Sequence, residues 1–147
     1  MTKEVLVSVN GLQTFAGDGD QADAVEIAAP GIYYYKNGCC YVFYEETQDG
    51  FEGVIKNRIR IREDFMEIRK EGLLRARMVF EKNKKTMTDY DTPFGRFRLV
   101  IETKSFELRE TEDLIRLQVV YRMEINAQPA ADCTVYLQIA AQSRDSE

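Results

Sequence analysis

Apolar and polar residues alternate with a period of two along almost the whole chain. Val5, Val7 and Val9 alternate with Glu4, Ser8 and Asn10, and Val25 and Ile27 flank Glu26. Ile55, Ile59 and Ile61 are set against Lys56, Arg58, Arg60 and Arg62. Leu74, Ala76, Met78 and Phe80 are set against Arg75, Arg77, Val79 and Glu81, and Phe97, Leu99, Ile101 and Thr103 against Arg96, Arg98, Val100 and Glu102. The pattern continues through Ile115, Leu117, Val119, Tyr121, Met123 and Ile125, and closes with Cys133, Val135, Leu137 and Ile139. Successive side chains of a strand point to opposite faces, so each run predicts a strand with one dry and one wet face, as in antiparallel sheets. No convincing long amphipathic helix competes with this pattern.

The connections are short. Asp18-Gly19, Asn37-Gly38, Asp49-Gly50 and Glu71-Gly72 are turn dipeptides, because Gly and Asn tolerate positive φ, and Gln128-Pro129 separates the last two strands. Gly11–Asp23 and Thr111–Asp113 read as loops. Short turns joining sequential strands make a meander. Strands in this number, with no helices to cover them, need a sandwich or a closed barrel, and the meander order favours the barrel. The expected fold is an all-β antiparallel up-and-down barrel of about eight to ten strands, with residues 1–147 as a single domain free of repeats, low-complexity segments or linkers.

One hairpin can be placed in register. A two-residue turn at Glu63-Asp64 sets Ile59 opposite Ile68, Ile61 opposite Met66 and Arg60 opposite Glu67. A three-residue turn at Glu71-Gly72-Leu73 then sets Ile68 opposite Ala76 and Met66 opposite Met78. Glu67 lies between Arg60 and Arg77 on the outer face, and Arg58, Arg69 and Arg75 form a like-charge row.

The residue inventory narrows the chemistry. The chain has no histidine, so the commonest general base and transition-metal ligand is missing. Its three cysteines, Cys39, Cys40 and Cys133, form neither a disulfide framework nor a metal set, and read as reduced thiols in the core. Gly17-Asp18-Gly19-Asp20 with Asp23 lacks the spacing of a calcium loop and reads as a turn. Glu45 and Glu46 are neighbours on a strand, so they face opposite ways and make no acid/base pair. No catalytic constellation, cofactor site or metal site is expected. A net charge of -5 argues against nucleic acid as a partner. The longest apolar run, Cys39–Tyr44, is far short of a membrane span, and Met1-Thr2-Lys3-Glu4-Val5 lacks a signal-peptide core, so a cytoplasmic location is expected.

Three segments carry a family likeness. They are Gly31-Ile32-Tyr33-Tyr34-Tyr35 with Tyr41–Glu46; Asn57–Ile61 through Ile68-Arg69-Lys70-Glu71-Gly72 to Met78-Val79-Phe80; and Tyr90-Asp91-Thr92-Pro93-Phe94-Gly95 with Leu99–Thr103. Together they resemble the YwiB-like family of uncharacterised bacterial β-barrel proteins, across about Val5 to Ile139. The resemblance implies a lipocalin-like (calycin) barrel. It implies no established activity, cofactor or catalytic residue.

Two functions compete. The first is binding of a small apolar or amphipathic ligand inside the barrel, lined by Tyr33, Tyr35, Tyr44, Met78, Phe80, Phe97, Leu99, Ile101, Tyr121 and Met123. The second is a protein-interaction or regulatory module whose barrel is filled by its own side chains. It would work from the arginine-rich outer wall (Arg58, Arg60, Arg62, Arg69, Arg75, Arg77, Arg96, Arg98), from the aromatic cluster Tyr33–Tyr44 or from an exposed strand edge. The volume of the interior separates the two. A homo-oligomer is compatible with either.

Overall fold

The computed structural model describes residues 2–15, 22–47, 52–93 and 95–142, which form ten strands and, among the described residues, no helix. They are β1 (Thr2–Phe15), β2 (Ala22–Lys36), β3 (Cys39–Glu46), β4 (Ile55–Arg62), β5 (Phe65–Gly72), β6 (Ala76–Glu81), β7 (Lys85–Thr92), β8 (Gly95–Glu110), β9 (Leu114–Ile125) and β10 (Gln128–Ala141). All ladders are antiparallel, in the order β6-β5-β4-β3-β2-β1-β10-β9-β8-β7. This is a meander in which the first strand closes onto the last, from Val5 opposite Ala141 to Asn10 opposite Tyr136.

The barrel is nearly, not fully, closed. Its two sheet edges are β6 and β7, consecutive in the chain, yet the ladder between them is reduced to a single bridge. Arg75 N–H donates to the Asp91 carbonyl at 3.0 Å and Asp91 N–H to the Arg75 carbonyl at 2.8 Å. The Thr86 hydroxyl adds a bond to the Val79 carbonyl at 2.8 Å. The cause lies in the turn between the two strands. Lys82 N–H bonds Asp64 and Asn83 N–H bonds Thr103, so each strand extends its ladder with its outer neighbour rather than with the other. We call this gap the seam.

The core is the set of inward-phase residues. Ile59, Ile61, Met66, Ile68, Met78, Phe80, Tyr90, Leu99, Ile101, Tyr121 and Met123 are all fully buried, and Phe80 meets Tyr121 edge-on at 5.0 Å. Gly31 sits where no side chain fits, since a Cβ there would lie 2.7 Å from the Phe43 carbonyl oxygen and 2.9 Å from Val7.

The predicted Glu63-Asp64 turn and its register hold. Ile59 opposes Ile68, Ile61 opposes Met66 and Arg60 opposes Glu67. The next register is corrected. Ile68 opposes Met78 and Met66 opposes Phe80, two residues further on, because β5 continues along β4 to Gly72 and the connection buries Leu74. A slip of two keeps every face, which is why alternation could not detect it. The last turn is Asn126-Ala127, both at positive φ (50° and 69°), and Gln128-Pro129 belongs to β10. Gly11–Phe15 and Ala22-Asp23, expected as loop, are strand, while Asp18-Gly19, Asp49-Gly50 and most of the calcium-like segment lie outside the described residues. Thr111–Asp113 is a loop as expected.

Candidate functional site

The predicted pocket lining is mostly core. Tyr44, Met78, Phe80, Leu99, Ile101, Tyr121 and Met123 are buried, and Tyr33 and Phe97 pack against the core partly buried. Tyr35 shares the inward phase but is 55% exposed at the end of β2. These side chains pack against one another across the barrel. Of the cavities described, one of about 50 Å³ touches Tyr33 beside the Glu110–Asp113 loop. One of about 560 Å³ touches Tyr44, and its other walls include Glu4, Ile32, Phe43, Glu45 and Lys56. A third, of about 450 Å³, runs over Asn10, Glu107, Arg116, Gln118 and Tyr136. None of these three is lined by Met78, Phe80, Leu99, Ile101 or Met123.

Among the described residues, polar side chains enter the interior singly at Thr103 on β8 and as a cluster on β3 to β5. Lys70, on the inward face of β5, is 4% exposed and donates to Glu46 Oε1 at 2.9 Å and to Asn57 Oδ1 at 2.8 Å. Asn57 Nδ2 donates to the same Glu46 oxygen at 2.8 Å. The three groups satisfy one another, as a buried charge requires. Beside them the Tyr44 hydroxyl is buried without a hydrogen-bond partner among the described residues. Burial pushes its pKa above the ordinary tyrosine value, and the charge on Glu46 adds to the rise. Tyr33, whose hydroxyl lies 3.8 Å from Cys40 Sγ, is pushed up to about 12, mainly by burial. Burial also pushes the Cys40 and Cys133 thiols up, away from thiolate reactivity.

The outer wall is organised by register. One row runs Ile32–Phe43–Arg58–Arg69–Arg77 across β2 to β6, and the next runs Tyr34–Tyr41–Arg60–Glu67–Val79. Each row is apolar at its β2–β3 end; the first is cationic toward β6. Tyr34 stacks on Tyr41 at 4.9 Å and on Phe43 at 5.8 Å. Arg60 and Arg62 lie over the Phe65 ring at 5.1 and 4.1 Å.

Glu67 is the pivot of this wall. It faces outward as predicted, but it is 2% exposed rather than solvated, because arginines cover it. Arg77 Nε donates to its Oε2, and Arg58 and Arg60 approach its Oε1 at 3.8 and 3.7 Å. Burial alone would raise the Glu67 pKa. The Arg77 hydrogen bond and the charges of Arg77, Arg60 and Arg69 outweigh it and hold the carboxyl below its ordinary value. One carboxylate thus faces several arginines. Among the described residues Arg69 has no ion pair, and the buried Nε–H groups of Arg58 and Arg60 make no hydrogen bond. The like-charge row is therefore Arg58–Arg69–Arg77, with Arg77 in the place expected for Arg75. Among the described residues no cluster of three or more acidic or thiol side chains could hold a metal.

Fold and site define an all-β antiparallel barrel with an arginine-rich, aromatic-flanked outer wall. The chain belongs to the family described as a domain of unknown function, DUF1934, which it matches over residues 7–137. It is 25% identical over 125 residues to the uncharacterized beta-barrel protein YwiB of Bacillus subtilis (strain 168), covering 85% of this chain and 86% of that protein. The crystal structure of the ywiB protein from Bacillus subtilis superposes with a TM-score of 0.76 at 19% identity, over 97% of this chain and 94% of that one. The fold expected from the sequence and the family it resembles are both borne out. No helix among the described residues is long and apolar enough to cross a membrane.

Proposed function

We propose that this protein is a recognition module that works from its outer wall, where the rows across β2 to β6 bind an acidic segment of a partner protein. The observation that carries this reading is the row Arg58–Arg69–Arg77, in which Arg58 and Arg77 share the one buried carboxylate of Glu67 and Arg69 has no ion pair among the described residues. Like charges directly opposite one another on a sheet are unfavourable, and an acidic partner relieves them. The apolar ends of the rows, Ile32, Tyr34, Tyr41 and Phe43, supply the aromatic and arginine mixture typical of protein interfaces. Glu63, Asp64 and Glu71 at the margins, with the overall charge of -5, disfavour a polyphosphate chain. The competing reading, a ligand in the interior, needs a cavity of several hundred Å³ among Leu99, Ile101, Tyr121 and Met123. Those residues are fully buried against their neighbours, so the outer wall has the better support. Among the described residues no catalytic constellation supports an enzyme.

The test is fluorescence anisotropy with a labelled glutamate-rich peptide at low and moderate salt. Binding that weakens steeply with salt, and at least tenfold in Arg58→Gln with Arg69→Gln, is expected. Affinity unchanged by these substitutions overturns the proposal.

A further inference from the structure

The seam between β6 and β7 forms a cleft of about 540 Å³ that is open to the surface along its length. Five cationic and three acidic side chains line it, in a chain whose overall charge is -5. Its cations are unevenly occupied. Arg96 is paired with Asp91 at 2.6 Å and Arg77 with Glu67, but Arg69 and Arg75 make no ion pair among the described residues. Arg75 contributes its backbone to the bridge that ends the seam, so its side chain is placed without being used. The inward-phase residues Lys70, Ala76 and Thr88 also line it, of which only Ala76 is apolar. The open edges add backbone groups. In the register set by Arg75 and Asp91 the next pair is Arg77 and Asp89, which forms no ladder, so its N–H and C=O groups face the gap.

We infer that this cleft binds a phosphorylated, hydroxyl-rich small molecule of the sugar-phosphate class. The planar forks of Arg69 and Arg75 match a phosphate group. Asp89, Asp91 and the open carbonyls accept hydrogen bonds from hydroxyl groups. Among the described residues no aromatic side chain lines the cleft, which favours this ligand class over nucleotides. A ligand held by both edges joins β6 to β7 where the ladder is missing, so binding is linked to closure of the barrel and to its stability. This goes beyond the acidic-partner reading. The cleft shares Arg69 and Arg77 with the Arg58–Arg69–Arg77 row, whereas Arg75 belongs to the cleft alone and Arg58 to the row alone.

The experiment is thermal unfolding of the full chain with millimolar hexose 6-phosphate, the unphosphorylated hexose, inorganic phosphate and ATP. A hundredfold excess of hexose phosphate over its Kd raises the midpoint by roughly 9 °C for a chain of this size. The free hexose gives no shift, and phosphate alone a smaller one. Arg75→Gln, whose folding is verified by circular dichroism, loses most of the hexose phosphate shift. Arg58→Gln keeps that shift while weakening the acidic peptide, so failure of one proposal is distinguishable from failure of the other. No shift with hexose phosphate, an equal shift with the free hexose, an undiminished shift in Arg75→Gln, or a larger shift with ATP overturns the inference.

Discussion

Replacing Glu67 by Gln isolates the group on which the outer wall is built. The side chain keeps its volume and loses only its charge. Arg77 is hydrogen-bonded to it, and Arg58 and Arg60 lie at 3.8 and 3.7 Å. At an effective dielectric of about 20, a charge pair at such a distance interacts by about 4 kcal/mol before desolvation and entropy are counted. The three arginines are 54%, 36% and 31% exposed, which screens each contribution to about 1 kcal/mol. Removing the cost of burying the charge returns part of the total. The expected net loss is about 2 kcal/mol, roughly 6 °C in midpoint at this chain length. The pH dependence gives a second readout. The folded-state pKa of Glu67 is depressed, so its contribution is fully present above the unfolded value of 4.5 and is lost as pH falls through the folded value. Urea unfolding at neutral pH and in the acid range below 4.5 should show the wild type losing stability more steeply than Glu67→Gln. The comparison is Asp89→Asn, which removes an exposed pair with Arg98 at 3.4 Å and should cost under about 1 kcal/mol. If Glu67→Gln costs no more than Asp89→Asn and keeps the wild-type acid slope, Glu67 is not the pivot of the wall.

Leu99→Ala should lose about 2–5 kcal/mol in chemical denaturation, because Leu99 is fully buried, whereas Arg98→Ala should lose under about 1 kcal/mol; the reverse order contradicts the face assignment. Tyr44→Phe should be neutral or slightly stabilising in the same assay, since it removes a buried hydroxyl that has no partner. A loss above about 2 kcal/mol would show that this hydroxyl is bonded.

Most of the fold was legible because a period of two is a direct image of the pleat. Where two adjacent strands carry matched apolar rows across a two-residue turn, as at Glu63-Asp64, the register followed as well. The failures have physical causes. The two-residue slip between β5 and β6 leaves every residue on its face, so only the burial of Leu74 separates the two registers. Gly11 suggested a loop but sits at a register shift inside β1, between Asn10 and Leu12. Pro129 suggested a break, whereas Asn126 makes the turn and Pro129 pairs with Glu124. The polar interior cluster left a signal that alternation alone passes over. Asn57 stands in the inward phase between Ile55 and Ile59, and Lys70 in the phase of Met66 and Ile68. A polar residue in an apolar phase marks a buried partner. That partner, Glu46, is 24 residues from Lys70 and is brought to it only by the β3–β4–β5 pairing. The burial of Glu67 was hidden for the opposite reason, because an outward position reads as solvated until the reach of the surrounding arginines is known.

The central claim is that this barrel is filled and acts from outside. Two-dimensional NMR with labelled methyl and arginine Nε–H groups tests it in one titration with a glutamate-rich peptide followed by an apolar probe. The Nε–H signals of Arg58, Arg60 and Arg77 should shift with the peptide. The methyl signals of Leu99, Ile101 and Met123 should stay in place with both additions. Shifts of those interior methyls on adding the apolar probe, with the arginine signals unmoved by the peptide, would contradict it and return the site to the barrel interior.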